Sequence, residues 1–240
     1  MPNHVQNRLE FNGNTEKVRN LRDTIKSEPT EEGQVFAMDF NKIIPMPESM
    51  RGLQPHSGVI NDAKFALKIN KLARPSGNPI TDFINGVDTK MWVEEKGPLG
   101  YNDNDKKDFI KCIENGLYHG HVYWRDWAIE NWNTKWNAYD QKHDKNTENC
   151  IFYSTAWNTS IPIVSKLSEM FPEVGIKLTY ADEDSGSNVG YYEFLAGELV
   201  EENKPEDLSN EAYEIYLELH PESKEYIKKI DGKYQYIDED

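Results

Sequence analysis

Apolar and polar residues follow strand and helix periods at the start of the chain. Residues 4–12 have the interleaved pattern of a strand, and the following segment up to about Ser27 carries one apolar stripe typical of a helix. Residues 35–40 predict a second strand, which ends before Pro45 because proline forbids a regular strand or helix there. The order strand, helix, strand is one half of a ferredoxin-like domain.

A similar order returns after residue 148. The pattern predicts a strand over 150–156, a helix over 161–171, and two strands over 174–181 and 190–200. Two β-α-β units that share one sheet give the ferredoxin-like topology. We therefore predict an α+β fold with a ferredoxin-like antiparallel sheet and two packing helices, and the name implies no iron–sulfur centre.

The two halves are separated by a long segment with a different pattern. Helical periods cover residues 61–73, 105–117 and 121–132, whereas residues 74–104 are rich in Gly, Pro, Asn and Asp and predict mostly loop, with room for a short strand at 91–93. The chain is thereby divided into a first half of the ferredoxin-like domain (1–45), an α-rich insertion (46–147), a second half (148–200) and an acidic C-terminal extension (201–240). In the extension we expect a helix over 209–219 and a short strand near Tyr234.

Charge changes this picture most at the end of the chain. The net charge is −15, and residues 181–240 hold eighteen acidic and five basic residues, so nearly all of the excess lies in the last quarter. Such a field repels nucleic-acid phosphates and attracts basic surfaces. We therefore expect a host protein with a basic surface as partner and no direct nucleic-acid binding. The predicted acidic interaction surface consists of Glu201, Glu202, Glu206, Asp207, Glu211, Glu214 and Glu218.

The remaining composition excludes several classes of protein. The longest apolar runs are far shorter than the roughly 20 residues of a membrane helix, and the first residues lack the apolar stretch of a signal peptide. Cys112 and Cys150 are too few for a disulfide scaffold or for a zinc or iron–sulfur site by themselves. We expect a cytoplasmic protein without a membrane span.

No catalytic signature emerges from the motifs. There is no Gly-rich phosphate loop, nucleophile elbow or His-Glu-x-x-His pattern. His119 and His121 lack a second paired cluster that would complete a metal site. Residues 182–188 resemble a calcium loop in composition alone and predict a turn. We predict no catalytic residues, no metal and no cofactor, and we expect a protein that is not an enzyme.

Tryptophan is concentrated in one part of the sequence, because five of the six lie between Trp124 and Trp157. They predict either a core that holds the insertion on the sheet, or an aromatic pocket or stacking platform flanked by cationic and amide side chains. The candidate ligand or partner site consists of Trp124, Arg125, Trp127, Asn131, Trp132, Lys135, Trp136 and Asn137.

Four phrases of the sequence carry a family resemblance. They are Pro2-Asn3 with Asn7-x-Leu9, residues 39–47 (DFNKIIPMP), residues 131–138 (NWNTKWNA), and Phe152 with Thr155-Ala156-Trp157. Together they resemble the YubB-like family of proteins with a ferredoxin-like domain, which plasmids, prophages and other mobile elements of bacteria carry. Two residues depart from the family pattern. The family usually has an aromatic or other residue in place of His4 and a glycine in place of Asn133. The resemblance implies a fold and a genomic setting, and it brings no settled biochemical activity.

Two functions follow from these observations. The first is a phage or plasmid interaction protein that binds and inhibits a host defence or nucleic-acid-handling protein, such as a CRISPR nuclease or a restriction enzyme, through the acidic surface. The alternative is a small-ligand or nucleotide-binding protein, or an enzyme, with a Trp-rich pocket between insertion and sheet.

Overall fold

A computed structural model describes residues 3–70, 100–141 and 145–237 of the chain. The chain forms two compact units, one made of Met1–Pro45 and Ala128–Asp240 and the other of Met46–Trp127. The predicted short strand at 91–93 lies outside the described residues. Among the described residues, none of the helices has the length and apolar character needed to cross a membrane.

The first unit is built on a five-stranded antiparallel sheet, with strand order β2-β1-β3-β4-β5. The strands are β1 (His4–Asn12), β2 (Cys150–Ala156), β3 (Gly175–Asp182), β4 (Val189–Leu195) and β5 (Glu198–Asn203). A separate hairpin near the end of the chain pairs β6 (Ile227–Ile230) with β7 (Lys233–Tyr236). This hairpin includes the strand that was expected near Tyr234.

The helices of the described residues agree in type with the sequence pattern, although their ends move by up to four residues. They are α1 (Thr15–Ile25), α2 (Ser57–Asn70), α3 (Asp103–His119), α4 (Trp124–Trp132), α5 (Ile161–Met170) and α6 (Asn210–Leu219). Side-chain caps determine where two of these helices begin. The Asn14 side chain accepts a hydrogen bond from the Glu16 amide at the start of α1, and the Ser209 side chain accepts one from the Ala212 amide at the start of α6. Helix α6 confirms that part of the acidic extension folds.

The predicted fold class is confirmed: the protein is α+β, with a ferredoxin-like arrangement of strands. Strands β2 and β3 are joined by α5, and β1 lies between them and pairs antiparallel with both. This is a split β-α-β unit. Strands β4 and β5 then extend the sheet beyond β3.

The second strand predicted for residues 35–40 is wrong, because this segment is a loop that ends in a short 3-10 helix, Phe40–Lys42. A side chain replaces the partner strand: the Met38 amide donates to Gln141 Oε1 at 3.0 Å, and Gln141 Nε2 donates to the Met38 carbonyl at 2.7 Å. Met38 and Phe40 are both buried, so the alternation that indicated a strand reflects two anchors in a loop.

The single strand predicted for residues 190–200 is also wrong, because the chain turns back within it. Ala196 and Gly197, with φ of 53° and 83°, connect β4 to β5. Two left-handed residues are the requirement of a tight hairpin turn, and alanine is a poor sequence signal for one. The result is an extra edge strand, β5, which carries three of the acidic residues at 198, 201 and 202.

The core of the sheet follows the alternation of β1. Val5, Leu9 and Phe11 are buried on one face together with Asn7, whose amide is fully buried. Asn7 Nδ2 donates to Thr155 Oγ1 at 2.9 Å, and Thr159 Oγ1 donates to Asn7 Oδ1 at 2.6 Å. The residue that broke the apolar pattern is therefore satisfied inside the core.

The second unit contains α2 and α3, which pack on each other around a small apolar core. Cys112 and Ile113 of α3 and Val59 and Ala63 of α2 belong to this core. An Asn102 and Asp105 capping box starts α3, and Gly120 ends it with a φ of 78°. The described part of this unit is therefore rich in α-helix.

Candidate interaction surfaces

One face of the sheet is partly open and carries a row of charged side chains. Helix α6 packs over one end of this face, where Ala181 and Val189 join its core cluster. Beyond α6, strand register aligns five side chains across the sheet, because residues paired on neighbouring strands project to the same face. In order across the strands they are Cys150, Glu10, Lys177, Glu193 and Glu201.

Two carboxylates are direct cross-strand neighbours in this row. Glu193 of β4 pairs in register with Glu201 of β5, an arrangement that destabilises an antiparallel pair through like-charge repulsion. Lys177 Nζ lies 2.8 Å from Glu193, so one of the two charges has a cationic partner. Glu201 has a neutral one, since Tyr191 donates its hydroxyl to Glu201 Oε1 at 2.6 Å.

Helix α6 brings a third carboxylate to the same place. Asn203 of β5 donates its side-chain amide to Glu211 Oε1 at 2.6 Å, and Asn203 pairs in register with Tyr191. The hydrogen bond to Glu201 raises the pKa of Tyr191 above its usual value, and the charges of Glu201, Glu193 and Glu211 contribute further. Tyr191 is therefore surrounded by carboxylates from three elements, and the Lys177 ammonium lies over its ring, 3.8 Å from the centroid.

The seven residues of the predicted acidic surface are all exposed. They differ in whether they form an ion pair with a basic side chain. Glu218 pairs with Arg8 of the sheet at 3.1 Å, whereas Glu202 and Glu214 pair with lysines of the C-terminal segment. Among the described residues, four have no ion pair with a basic side chain: Glu201, Glu206, Asp207 and Glu211.

The seven residues do not all share one face. Glu201 and Glu211 lie together beside Tyr191 on the open face, and Glu218 reaches the same face through Arg8. Glu202 pairs in register with Tyr192, so its side chain projects to the opposite face. Asp207 lies at the β3–β4 turn, where it accepts from the Asn188 amide at 3.1 Å. We use the name acidic face for Glu193, Glu201 and Glu211.

The predicted tryptophan site is divided between the two compact units. Trp124, Arg125 and Trp127 belong to the second unit, where Trp127 is buried and Trp124 is half-buried against Tyr123, with ring centroids 5.0 Å apart. Arg125 is exposed, lies over the Tyr123 ring, and pairs with Asp126 at 3.7 Å.

Two of the predicted residues in the first unit have evident structural roles. Trp132 is buried, packs edge-on against Phe40 with centroids 5.6 Å apart, and donates Nε1 to the Ile44 carbonyl at 2.8 Å. Asn137 donates to Asp39 Oδ1 at 2.7 Å and accepts from the Phe40 amide at 2.8 Å. Both side chains hold residues 39–44 in place. Asn131 is half-buried at the end of α4.

Lys135 and Trp136, unlike Trp132 and Asn137, have no evident structural role. Their neighbour is Trp157, which the sequence analysis did not place in the site. Lys135 Nζ lies 4.6 Å from the ring centroid of Trp136 and 5.0 Å from that of Trp157. Trp136 is 36% exposed and Trp157 38% exposed. The two tryptophans are 21 positions apart in sequence, so no helical or strand period could have related them.

Among the residues that the structure describes, no group of three or more His, Cys, Asp or Glu side chains is arranged to hold a metal ion. The turn predicted for residues 182–188 is present: Asp182 ends β3, residues 183–188 lead to β4, and Asn188 Nδ2 donates to Asp182 Oδ2 at 2.9 Å.

Comparison with known proteins supports the fold and leaves the activity open. Residues 131–219 match the family model of the ferredoxin-like domain in Api92-like protein. That range runs from the end of α4 through β2, α5, β3, β4 and β5 to α6. The sheet also requires β1, which lies outside the matched range and enters between β2 and β3.

One solved structure resembles the chain at low identity. The crystal structure of the protein api92 from Yersinia pseudotuberculosis is 13% identical, with a TM-score of 0.42, and the alignment covers 86% of this chain and 99% of that one. No curated protein matches the chain. The YubB-like family is not among these matches, so that resemblance stays a prediction.

Proposed function

We propose that this protein is an interaction protein of a bacterial mobile element, that it acts in the host cytoplasm, and that it inhibits a nucleic-acid-handling host protein by binding its basic surface. A CRISPR nuclease or a restriction enzyme is the concrete candidate. The single observation that carries the proposal is the acidic face, where Glu193, Glu201 and Glu211 surround Tyr191 and only Glu193 has a lysine partner.

The physical argument is that such a face is costly without a partner. Cross-strand glutamates repel each other, and Lys177 offsets the charge of Glu193 alone. A cationic side chain docked against Glu201 and Glu211 would remove the repulsion that remains. The neutral hydrogen bonds from Tyr191 and Asn203 fix the positions of Glu201 and Glu211, so little side-chain entropy is lost on binding. The net charge of −15 adds long-range attraction to a basic partner.

The YubB-like resemblance supplies the proposed genomic setting, a plasmid or prophage. Proteins from such elements often act against host defences, and this step is an analogy of setting. The alternative, a nucleotide binder or enzyme with a Trp-rich pocket, has less support, because Trp127 and Trp132 are buried and Asn137 is bonded to Asp39.

The test measures inhibition of DNA cleavage by a purified restriction enzyme and by a purified RNA-guided nuclease. Inhibition should weaken from 0.05 M to 0.3 M NaCl, because salt screens charge attraction. The variant E201Q/E211Q should inhibit at least about tenfold less, since each lost contact with a charged group is worth about 1.5–3 kcal/mol.

The matched control is E31Q/E32Q, which removes two charges from an exposed loop of the same unit. It should inhibit like the parent protein. The proposal fails if neither nuclease is inhibited and immobilised protein retains no host protein in a salt-dependent manner. It fails equally if the two double variants lose the same amount of inhibition, because net charge alone would then explain the effect.

A further inference from the structure

Two exposed tryptophans, Trp136 and Trp157, both lie close to the Lys135 ammonium. The Lys135 ammonium lies within about 6 Å of both indole centroids, at 4.6 Å and 5.0 Å, which is the range of cation–π attraction. Both indole rings remain more than a third exposed. They are thus accessible to solvent, and a cation already lies against them.

Backbone hydrogen bonds fix the two segments that carry the indole rings. The Lys135 amide donates to the Ala156 carbonyl at 3.2 Å, and the Trp157 amide donates to the Asn3 carbonyl at 2.9 Å. The Trp136 ring meets the Tyr139 ring edge-on, with centroids 5.8 Å apart. The two indoles are therefore preorganised, which reduces the entropy lost when a ligand binds between them.

Trp157 adopts a backbone conformation that does not favour tryptophan. Its φ of 79° lies in the left-handed region, where a bulky side chain is rare and the strain is of order 1–3 kcal/mol. Glycine would suit this backbone better. Because the ring is also exposed, neither the backbone nor the core explains a tryptophan here, and the ring itself is the feature to be explained.

Negative charge lies near these rings. Burial, together with the charges of Glu183 and Asp140, raises the pKa of Tyr139, whose ring meets that of Trp136, to about 12. Among the described residues, no carboxylate lies within ion-pairing distance of Lys135. The contacts of the ammonium are therefore the cation–π contacts with the two rings, and a cation that binds these rings more strongly would displace it.

We propose that Trp136 and Trp157 form a binding site for a compact organic cation, a guanidinium or methylated ammonium group, and that Lys135 fills this site in the free protein. Both groups are more weakly hydrated than a primary ammonium, so they lose less hydration free energy when they bind against aromatic rings. The site is independent of the acidic face and of the proposed inhibition of a nuclease.

The test uses ¹⁵N-labelled full-length protein and tetramethylammonium chloride, with sodium chloride as the ionic-strength control. The six tryptophans give six indole N–H signals, and W136F and W157F assign the relevant two. We expect saturable shifts of these two signals alone. In K135Q the dissociation constant should fall about fivefold, because a competing cation–π contact is removed.

The variant W157G in the K135Q background separates ligand binding from folding. Glycine relieves the strained backbone, so the fold should be retained while binding is lost. The circular dichroism spectrum of W157G checks that the variant is folded. W136F should still bind tetramethylammonium, because phenylalanine keeps an aromatic ring at this position. The proposal is overturned if K135Q gives no saturable shift, if all six signals move alike, or if folded W157G/K135Q binds as tightly as K135Q.

Discussion

Asn7 is a polar residue inside an apolar strand, and its four side-chain hydrogen bonds, one of them a longer contact of 3.4 Å with the Tyr153 carbonyl, explain why it is there. Its amide donates to Thr155 Oγ1 and to the Val5 carbonyl, both at 2.9 Å, and its carbonyl accepts from Thr159 at 2.6 Å. Removing it would leave two buried hydroxyls without this partner.

Asn7→Ala should therefore lower the free energy of unfolding by about 2–4 kcal/mol, measured by urea denaturation. Asn12→Ala, at the exposed end of the same strand, is the matched control and should change it by less than about 0.5 kcal/mol. Equal effects of the two substitutions would show that the network around Asn7 contributes no net stability.

The two cysteines give a pH-dependent prediction. Burial raises the pKa of Cys112 to about 11, aided by Asp108, and burial with the charge of Glu10 raises that of Cys150 to about 11. At pH 8 only about one thiol in a thousand would be ionised, compared with roughly a quarter for a free cysteine.

Labelling of the native protein by a disulfide reagent should thus be at least about a hundredfold slower than labelling of the urea-unfolded chain at pH 8. The rate should rise about tenfold per pH unit up to pH 10, because the thiolate is the reacting form. C112A isolates Cys150. A fast, pH-independent reaction of either thiol would contradict the assignment.

At the scale of elements, the pairing of β4 with β5 is compromised by Glu193 and Glu201. Glu201→Lys converts this repulsion into a cross-strand ion pair, and it should raise the free energy of unfolding by about 0.5–1 kcal/mol. Chemical denaturation measures the gain. Glu31→Lys makes the same charge change in an exposed loop and should give a smaller effect.

A stabilising Glu201→Lys that also loses nuclease inhibition would indicate that the native glutamate is kept for binding at the expense of stability. A destabilising effect would mean instead that the Tyr191–Glu201 hydrogen bond outweighs the repulsion.

The elements that the sequence predicted well are those with their own periodic signal. Helix α1 is an example, since Val18, Leu21 and Ile25 are all buried. Residues 35–40 show the limit of this reasoning. Their apolar spacing is correct for burial, yet Gln141, about a hundred positions away, replaces the expected strand partner, and no local pattern records that contact.

The candidate sites show the same limit. Composition located the acidic segment, but only the register of β4 and β5 places Glu193, which was not predicted, beside Glu201. Trp132 and Trp136 have helical spacing, yet α4 ends at Trp132, so the two rings have different surroundings. Trp136 shares the Lys135 ammonium with Trp157, which the fold of the sheet unit brings near.

At the scale of the whole molecule, a net charge of −15 makes the folded chain repel itself. Raising NaCl from 0.02 M to 0.3 M screens this repulsion and should raise the thermal midpoint by a few degrees. Differential scanning fluorimetry measures the shift. A midpoint that falls with salt would mean that the ion pairs, such as Arg8–Glu218, outweigh the repulsion.

The hydrogen bond from Trp132 to the Ile44 carbonyl has a consequence for how this protein can change over evolution. The chain leaves the sheet unit just after Ile44 and returns just before Trp132, so its exit and entry points are neighbours. The entropy of closing a loop between fixed neighbouring ends grows only with the logarithm of its length. The loop-closure entropy therefore sets little limit on the length of the intervening segment, which can lengthen, shorten or be exchanged for another domain.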